Sequence, residues 1–105
     1  MKPEDMKQFP LLQTRSTAEA MKDEATLMYV IDCVNRFYKG DYGTVCAEDT
    51  EANNNDLQCG YGHVLARYEQ AHKLESDIYI EAHFDLDHLA DVNYTQTMVM
   101  YPFER

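Results

Sequence analysis

Ile78-Tyr79-Ile80-Glu81-Ala82-His83-Phe84 alternates an aliphatic or aromatic set, Ile78, Ile80, Ala82 and Phe84, with a polar set, Tyr79, Glu81 and His83. A period of two is the signature of a β-strand with one buried face, so the first set is expected against a core and the second toward solvent. The stretches on either side, Tyr61 to Glu69 and Thr95 to Tyr101, are similarly rich in β-branched and aromatic residues and read as strands. Residues 70–76 have the length of a hairpin connection. Asp85 to Tyr94 is longer and acidic, and a loop of that length in a small domain commonly serves function or motion. The C-terminal half is therefore expected to be a three-stranded antiparallel meander.

Upstream the period changes. Ser16-Thr17-Ala18-Glu19 has the form of a capping box and predicts a short helix to about Lys22. Asp23 can cap a longer helix over 24–38, in which Leu27, Ile31, Val34 and Tyr38 recur at helical spacing beside Val30, Cys33 and Phe37. That broad apolar face is expected on the core, with Gly40 as the left-handed stop. A third helix starts near Ala47, acidic in its first turn, and is weakened by Asn53-Asn54-Asn55 before Gly60. Residues 1–12, bracketed by Pro3 and Pro10, show no period and predict an extended or frayed lead-in. The expected architecture is α+β, a single domain over 1–105 with two or three N-terminal helices packed on one face of the meander.

Charge sets the class of partner. The chain carries 9 Lys and Arg against 19 Asp and Glu, a net charge of −10. Two intervals, Lys39 to Arg67 and Lys73 to Arg105, contain no Lys or Arg between their ends, so most of the excess lies there. A surface of this sign repels nucleic acid and anionic membrane, and it attracts protein surfaces built to hold phosphates. No apolar run is long enough to cross a bilayer, no signal region follows the charged start, and three unpaired cysteines, Cys33, Cys46 and Cys59, fit reduced thiols. A cytoplasmic protein is expected.

Gln13-Thr14-Arg15, Gly40-Asp41-Tyr42-Gly43, Glu48-Asp49 with Asn53, Ala66-Arg67-Tyr68, Ile78-Tyr79-Ile80-Glu81 and Val99-Met100-Tyr101-Pro102-Phe103-Glu104 occur in this order. Together they resemble a group of small acidic proteins of plasmids, integrative elements and phages, whose members read "TRG", "GDWG", "EED..AN", "IWIITE" and "LFP.EY". This chain departs from the pattern at Ser16, at Tyr42 and in its longer acidic loop before the last strand. The resemblance supplies no chemistry. It implies a setting, mobile DNA, in which small acidic proteins block host defence enzymes of the CRISPR or restriction type.

The candidate partner-binding residues are Asp41, Tyr42, Glu48, Asp49, Glu51, Asp56, Glu81, Asp85, Asp87 and Asp91. Their carboxylates could mimic backbone phosphates, which follow one another at roughly 3.4 Å along a strand. No cofactor is expected. The readings from other classes are a regulatory or structural interaction module, dimerising through the edge of the last strand, and a metal-dependent hydrolase. The hydrolase would use His83, Asp85, Asp87, His88 and Asp91, ligand types that suit a divalent cation at a spacing matching no established motif. Cys59 with His63 lacks the activation that a nucleophilic thiol needs, and Cys33 falls on the apolar helix face.

Overall fold

In a computed structural model, which describes residues 1–105, the chain forms strands β1 (Leu11–Gln13), β2 (Tyr61–Tyr68), β3 (Ile78–Asp85) and β4 (Gln96–Met100). The helices are α1 (Arg15–Ala20), α2 (Glu24–Tyr38) and α3 (Ala47–Cys59), with 3-10 turns over Pro3–Gln8, Leu86–His88 and Pro102–Glu104. The expected meander is present: β2, β3 and β4 pair antiparallel, with Ile80 opposite Ala66 on one side and Val99 on the other. It is not the whole sheet. β1 adds a fourth strand, parallel to β4, with Leu12 opposite Met98, so the order is β1-β4-β3-β2 and the sheet is mixed. The last strand is therefore interior, and the edge expected to carry a dimer is already occupied by the chain's own N-terminus.

Residues 1–12 correct a second expectation. They are neither frayed nor uniformly extended: the Lys2 N–H donates to the Asp5 carboxylate at 2.8 Å, and the following 3-10 turn fully buries Met6. Phe9 stacks on Phe84 with ring centroids 5.7 Å apart. Met6 and Phe9 are three residues apart, the eclipsing interval of a 3-10 turn, so both reach one side and close the end of the core. That interval is too short to register as a period in sequence.

Helix α1 starts earlier than the Ser16 box predicts. β1 delivers the chain at Thr14, whose hydroxyl accepts the Thr17 N–H at 3.4 Å and donates to Glu104 at 2.9 Å. Asp23 caps α2 as expected, accepting from the Thr26 N–H at 3.0 Å and the Thr26 hydroxyl at 2.8 Å. The facing of α2 differs from expectation: the buried stripe is Thr26, Val30, Cys33 and Phe37, while Leu27 and Ile31 stay open. The apolar arc of α2 is wider than the sheet beneath it, because β1 is only three residues long.

Helix α3 lies against β2 and closes its outer edge. Asn53, one of three asparagines that weaken the helix by propensity, is buried and donates from Nδ2 to the Leu65 carbonyl at 2.8 Å. Its Oδ1 accepts the Leu65 N–H at 2.9 Å, so the amide side chain replaces a neighbouring strand. Asp56 accepts the His63 N–H at 3.0 Å. Further along, the Tyr42 carbonyl accepts from the Arg67 N–H at 3.1 Å and the Thr44 N–H donates to the Arg67 carbonyl at 2.8 Å. Gly43 makes that approach possible, since a Cβ there would stand 2.0 Å from the Arg67 oxygen at a φ of +71°.

Candidate partner-binding surface

The fold divides the ten candidate residues. Asp41 is consumed in the turn after α2: its carboxylate takes Arg36 Nε at 2.7 Å and the Gly43 N–H at 3.1 Å, and both hold its pKa below the usual carboxylate range. Tyr42 is 4 % exposed and packs edge-on against Phe37 at 5.9 Å, so it belongs to the core and not to a contact surface. Its hydroxyl is buried without a hydrogen-bond partner. Asp56 is held at the β2 edge by the hydrogen bond it accepts from the His63 N–H.

Glu81 overturns the outward facing assigned to it. Only 3 % of the residue is exposed; one carboxylate oxygen meets Arg105 Nη2 at 2.8 Å and Nε at 3.0 Å, and the other meets His83 Nε2 at 3.1 Å. The alternation of β3 is real, but the second face of a central strand is also covered, here by neighbouring strands and the C-terminal turn. A carboxylate in such a place requires a paired cation.

Asp85 is the organising residue of the loop that follows β3. Its carboxylate accepts the Asp87 N–H at 2.9 Å and meets His88 Nδ1 at 3.1 Å, contacts that lower its pKa. His88 stacks on Tyr94 at 4.4 Å, and the buried Thr95 hydroxyl donates to the His88 carbonyl at 3.1 Å while accepting the Asp85 N–H at 3.2 Å. His83, Asp85, His88 and Asp91 are thus committed to separate local contacts, and the Asp87 carboxylate has none. No group of three or more His, Cys, Asp or Glu side chains is placed to hold a metal ion.

Glu48, Asp49, Glu51 and Asp87 remain exposed with no cation in ion-pair distance, and Asp91, half-buried, accepts only the Asn93 N–H at 2.9 Å. The two segments that carry them meet where the Leu86 N–H donates to the Gly60 carbonyl at 3.0 Å, at the C-terminal end of α3. Glu48 and Asp49 also complement the positive end of the α3 dipole.

A different surface was not signalled by charge. Leu11, Leu12, Leu27 and Ile31 are all exposed and line a groove of about 760 Å³ between β1 and α2, with Met28 exposed further round the helix. Its only sequence trace is the excess width of the α2 apolar face.

No protein-family model, curated protein or solved structure matches this chain.

Proposed function

We propose that this is a non-catalytic binding protein of a mobile genetic element, acting in the host cytoplasm. It inhibits a host nucleic-acid-handling defence enzyme of the CRISPR or restriction type by covering that enzyme's basic groove. The observation that carries the reading is the set of unpaired carboxylates at Glu48, Asp49, Glu51, Asp87 and Asp91, on two segments joined at Gly60 and Leu86. A cationic groove that has evolved to replace phosphate counterions gains the same electrostatic energy from carboxylates presented in a row. Glu48, Asp49 and Glu51 lie near the N-terminal end of α3, and the segment carrying Asp87 and Asp91 joins at its C-terminal end. The helix thus sets the two groups apart by up to roughly 20 Å, a span of several phosphate positions.

The test is competition. Purified CRISPR effectors and restriction endonucleases, each loaded with a fluorescent DNA or RNA substrate, are titrated with this protein. At least one should release its nucleic acid, with a midpoint that rises about tenfold or more for the combined Glu48→Gln, Asp49→Asn, Glu51→Gln variant and rises steeply with salt. Release that is indifferent to the triple substitution, or no release from any enzyme of either class, overturns the reading.

A further inference from the structure

The groove between β1 and α2 differs from the rest of the surface in carrying no charge. Its lining is Leu, Met, Val and Ile with only Gln13 and Asn35 as polar members, on a chain of net charge −10. Exposed apolar residues line both walls, Leu11 on the strand and Leu27 and Ile31 on the helix, the last two 39 % and 44 % exposed, with Met28 exposed beside them. Contiguous apolar surface of this kind marks an interaction site in a soluble protein.

The strand that forms one wall is also an open edge. The Thr97 N–H donates to the Pro10 carbonyl at 2.8 Å and the Thr14 N–H to the Val99 carbonyl at 3.1 Å, which sets the parallel pairing of β1 with β4. In that pattern Leu12 turns its amide and carbonyl toward β4, while those of Leu11 and Gln13 point outward. Along β2 the outward N–H groups of His63, Leu65 and Arg67 and the carbonyls of Leu65 and Arg67 are satisfied by Asp56, Asn53, Tyr42 or Thr44. Along β1 none is.

We infer that β1 and the apolar groove beside it form a two-fold interface with a second copy of this chain. The open edge selects that occupant, because the outward groups of Leu11 and Gln13 complement each other about a two-fold axis. The exposed Glu24 and Asp32 on α2 mean that two copies meet against their charge. Geometry agrees: antiparallel pairing of β1 about a two-fold axis at Leu12 lets the outward groups of Leu11 bond to those of Gln13 on the second copy, and the reverse. The sheets join across the axis, and the Leu27–Ile31 face of each α2 is covered from the opposite side. The patch is small. Eleven residues line the groove, against roughly 20–30 on each side of a standard interface, so the dimer is weak, with a dissociation constant on the order of 10–100 μM.

Sedimentation equilibrium of the full chain from about 5 to 500 μM tests this. The expected result is a reversible monomer–dimer equilibrium that tightens several-fold between about 50 and 500 mM NaCl, because salt screens the repulsion of two acidic chains. A contact made through the carboxylates responds to salt in the opposite sense, so this result and the enzyme competition can fail separately. The Met28→Glu, Ile31→Glu variant, altered only at exposed positions, should keep its circular dichroism spectrum and dimerise at least tenfold more weakly. As a geometric check, Leu12→Cys in a Cys46→Ser, Cys59→Ser background should form a disulfide-linked dimer on mild oxidation, since residues facing each other in a non-hydrogen-bonded antiparallel pair lie about 4.5 Å apart at Cα. A chain that stays monomeric at the highest concentration and salt, or a dimer indifferent to the Met28/Ile31 substitutions, overturns the inference.

Discussion

Along β2, the outward N–H groups of His63, Leu65 and Arg67 each meet an acceptor from the same chain, and the carbonyls of Leu65 and Arg67 each meet a donor. Along β1, at the other side of the same sheet, the outward groups of Leu11 and Gln13 face an apolar groove with nothing across it. An open strand edge invites pairing with other chains, so proteins ordinarily cover or charge it. Here one edge is covered by side-chain mimicry of a strand. The other is left short, at three residues, and uncharged. The difference reassigns several residues whose composition pointed to partners: Asp56 and the Asp41–Gly43 turn maintain the closed edge, and the binding capacity lies elsewhere.

The largest effect expected from breaking this contrast is at Asn53. Asn53→Leu keeps the branched shape but leaves the Leu65 N–H and carbonyl without partners beneath α3, and two orphaned backbone groups should cost about 2–5 kcal/mol. Urea unfolding followed by circular dichroism should show a lower midpoint with an unchanged slope. A loss under about 1 kcal/mol would mean that water replaces the amide and that the edge is not closed by it.

The next effect is at the face of the sheet away from the helices. Arg105→Ala strands the Glu81 carboxylate, with His83 as its remaining partner. An uncompensated buried charge costs several kcal/mol, but the arginine side chain is 43 % exposed and solvent screens the pair, so about 1–3 kcal/mol is expected. Adding Glu81→Gln to Arg105→Ala should recover part of it. If the double variant is the less stable of the two, the carboxylate is not the group that suffers.

Acid should loosen the turns, among them the Asp41–Gly43 turn that helps to close the β2 edge. Asp23, Asp41, Asp77 and Asp85 all have lowered pKa values: Asp23 from the Thr26 hydroxyl and N–H, Asp41 from Arg36 and Gly43, Asp77 from the Gln70 N–H and Arg67, and Asp85 from the Asp87 N–H and His88. A carboxyl group more acidic in the folded than in the unfolded chain stabilises the fold above its unfolded value, near 3.9, and that contribution disappears as pH falls through the lower folded value. Thermal midpoints should therefore change little with pH through these groups near neutrality, where their contribution is fully present, and fall below about pH 4. Asp77→Asn should flatten that acid limb while lowering stability at pH 7. An unchanged acid limb in Asp77→Asn would remove this account.

Much of the fold was legible because its signals are local. The alternation at 78–84 and the helix caps and stops each act within a few residues, and β2, β3 and β4 fall within a residue or so of their expected bounds, as do Asp23 and Gly40 around α2. What was not legible depends on a remote neighbour. β1 has three residues and exists only because β4 lies beside it; the Ser16 box lost to Thr14 because that strand fixes where the chain enters α1. Asn53 reads as a helix breaker until β2 supplies its partners. Glu81 reads as solvent-facing until Arg105, 24 positions on, covers it. Among the candidate site residues, charge counted carboxylates correctly but could not tell Glu48, Asp49 and Glu51, which meet no cation, from Asp41 and Asp85, which are bound up in turns.

The smallest expected effect is on the open edge itself. Leu11 and Gln13 are exposed, and in the monomer their outward amides are hydrogen-bonded to water; Leu11→Thr and Gln13→Ala should each change the unfolding free energy by no more than about 0.5 kcal/mol at a protein concentration near 5 μM. That near-silence is informative beside Asn53→Leu, because both sets of substitutions act at a sheet edge, and only Asn53 is a side chain on which the backbone of its edge depends. The same measurement repeated at several hundred micromolar sharpens the point. There a second copy should cover Leu11, mass action should raise the wild-type midpoint, and Leu11→Thr should then fall below wild type. If Leu11→Thr is already strongly destabilising at low concentration, β1 is held by contacts within the monomer, and the contrast between a closed and an open edge does not describe this sheet.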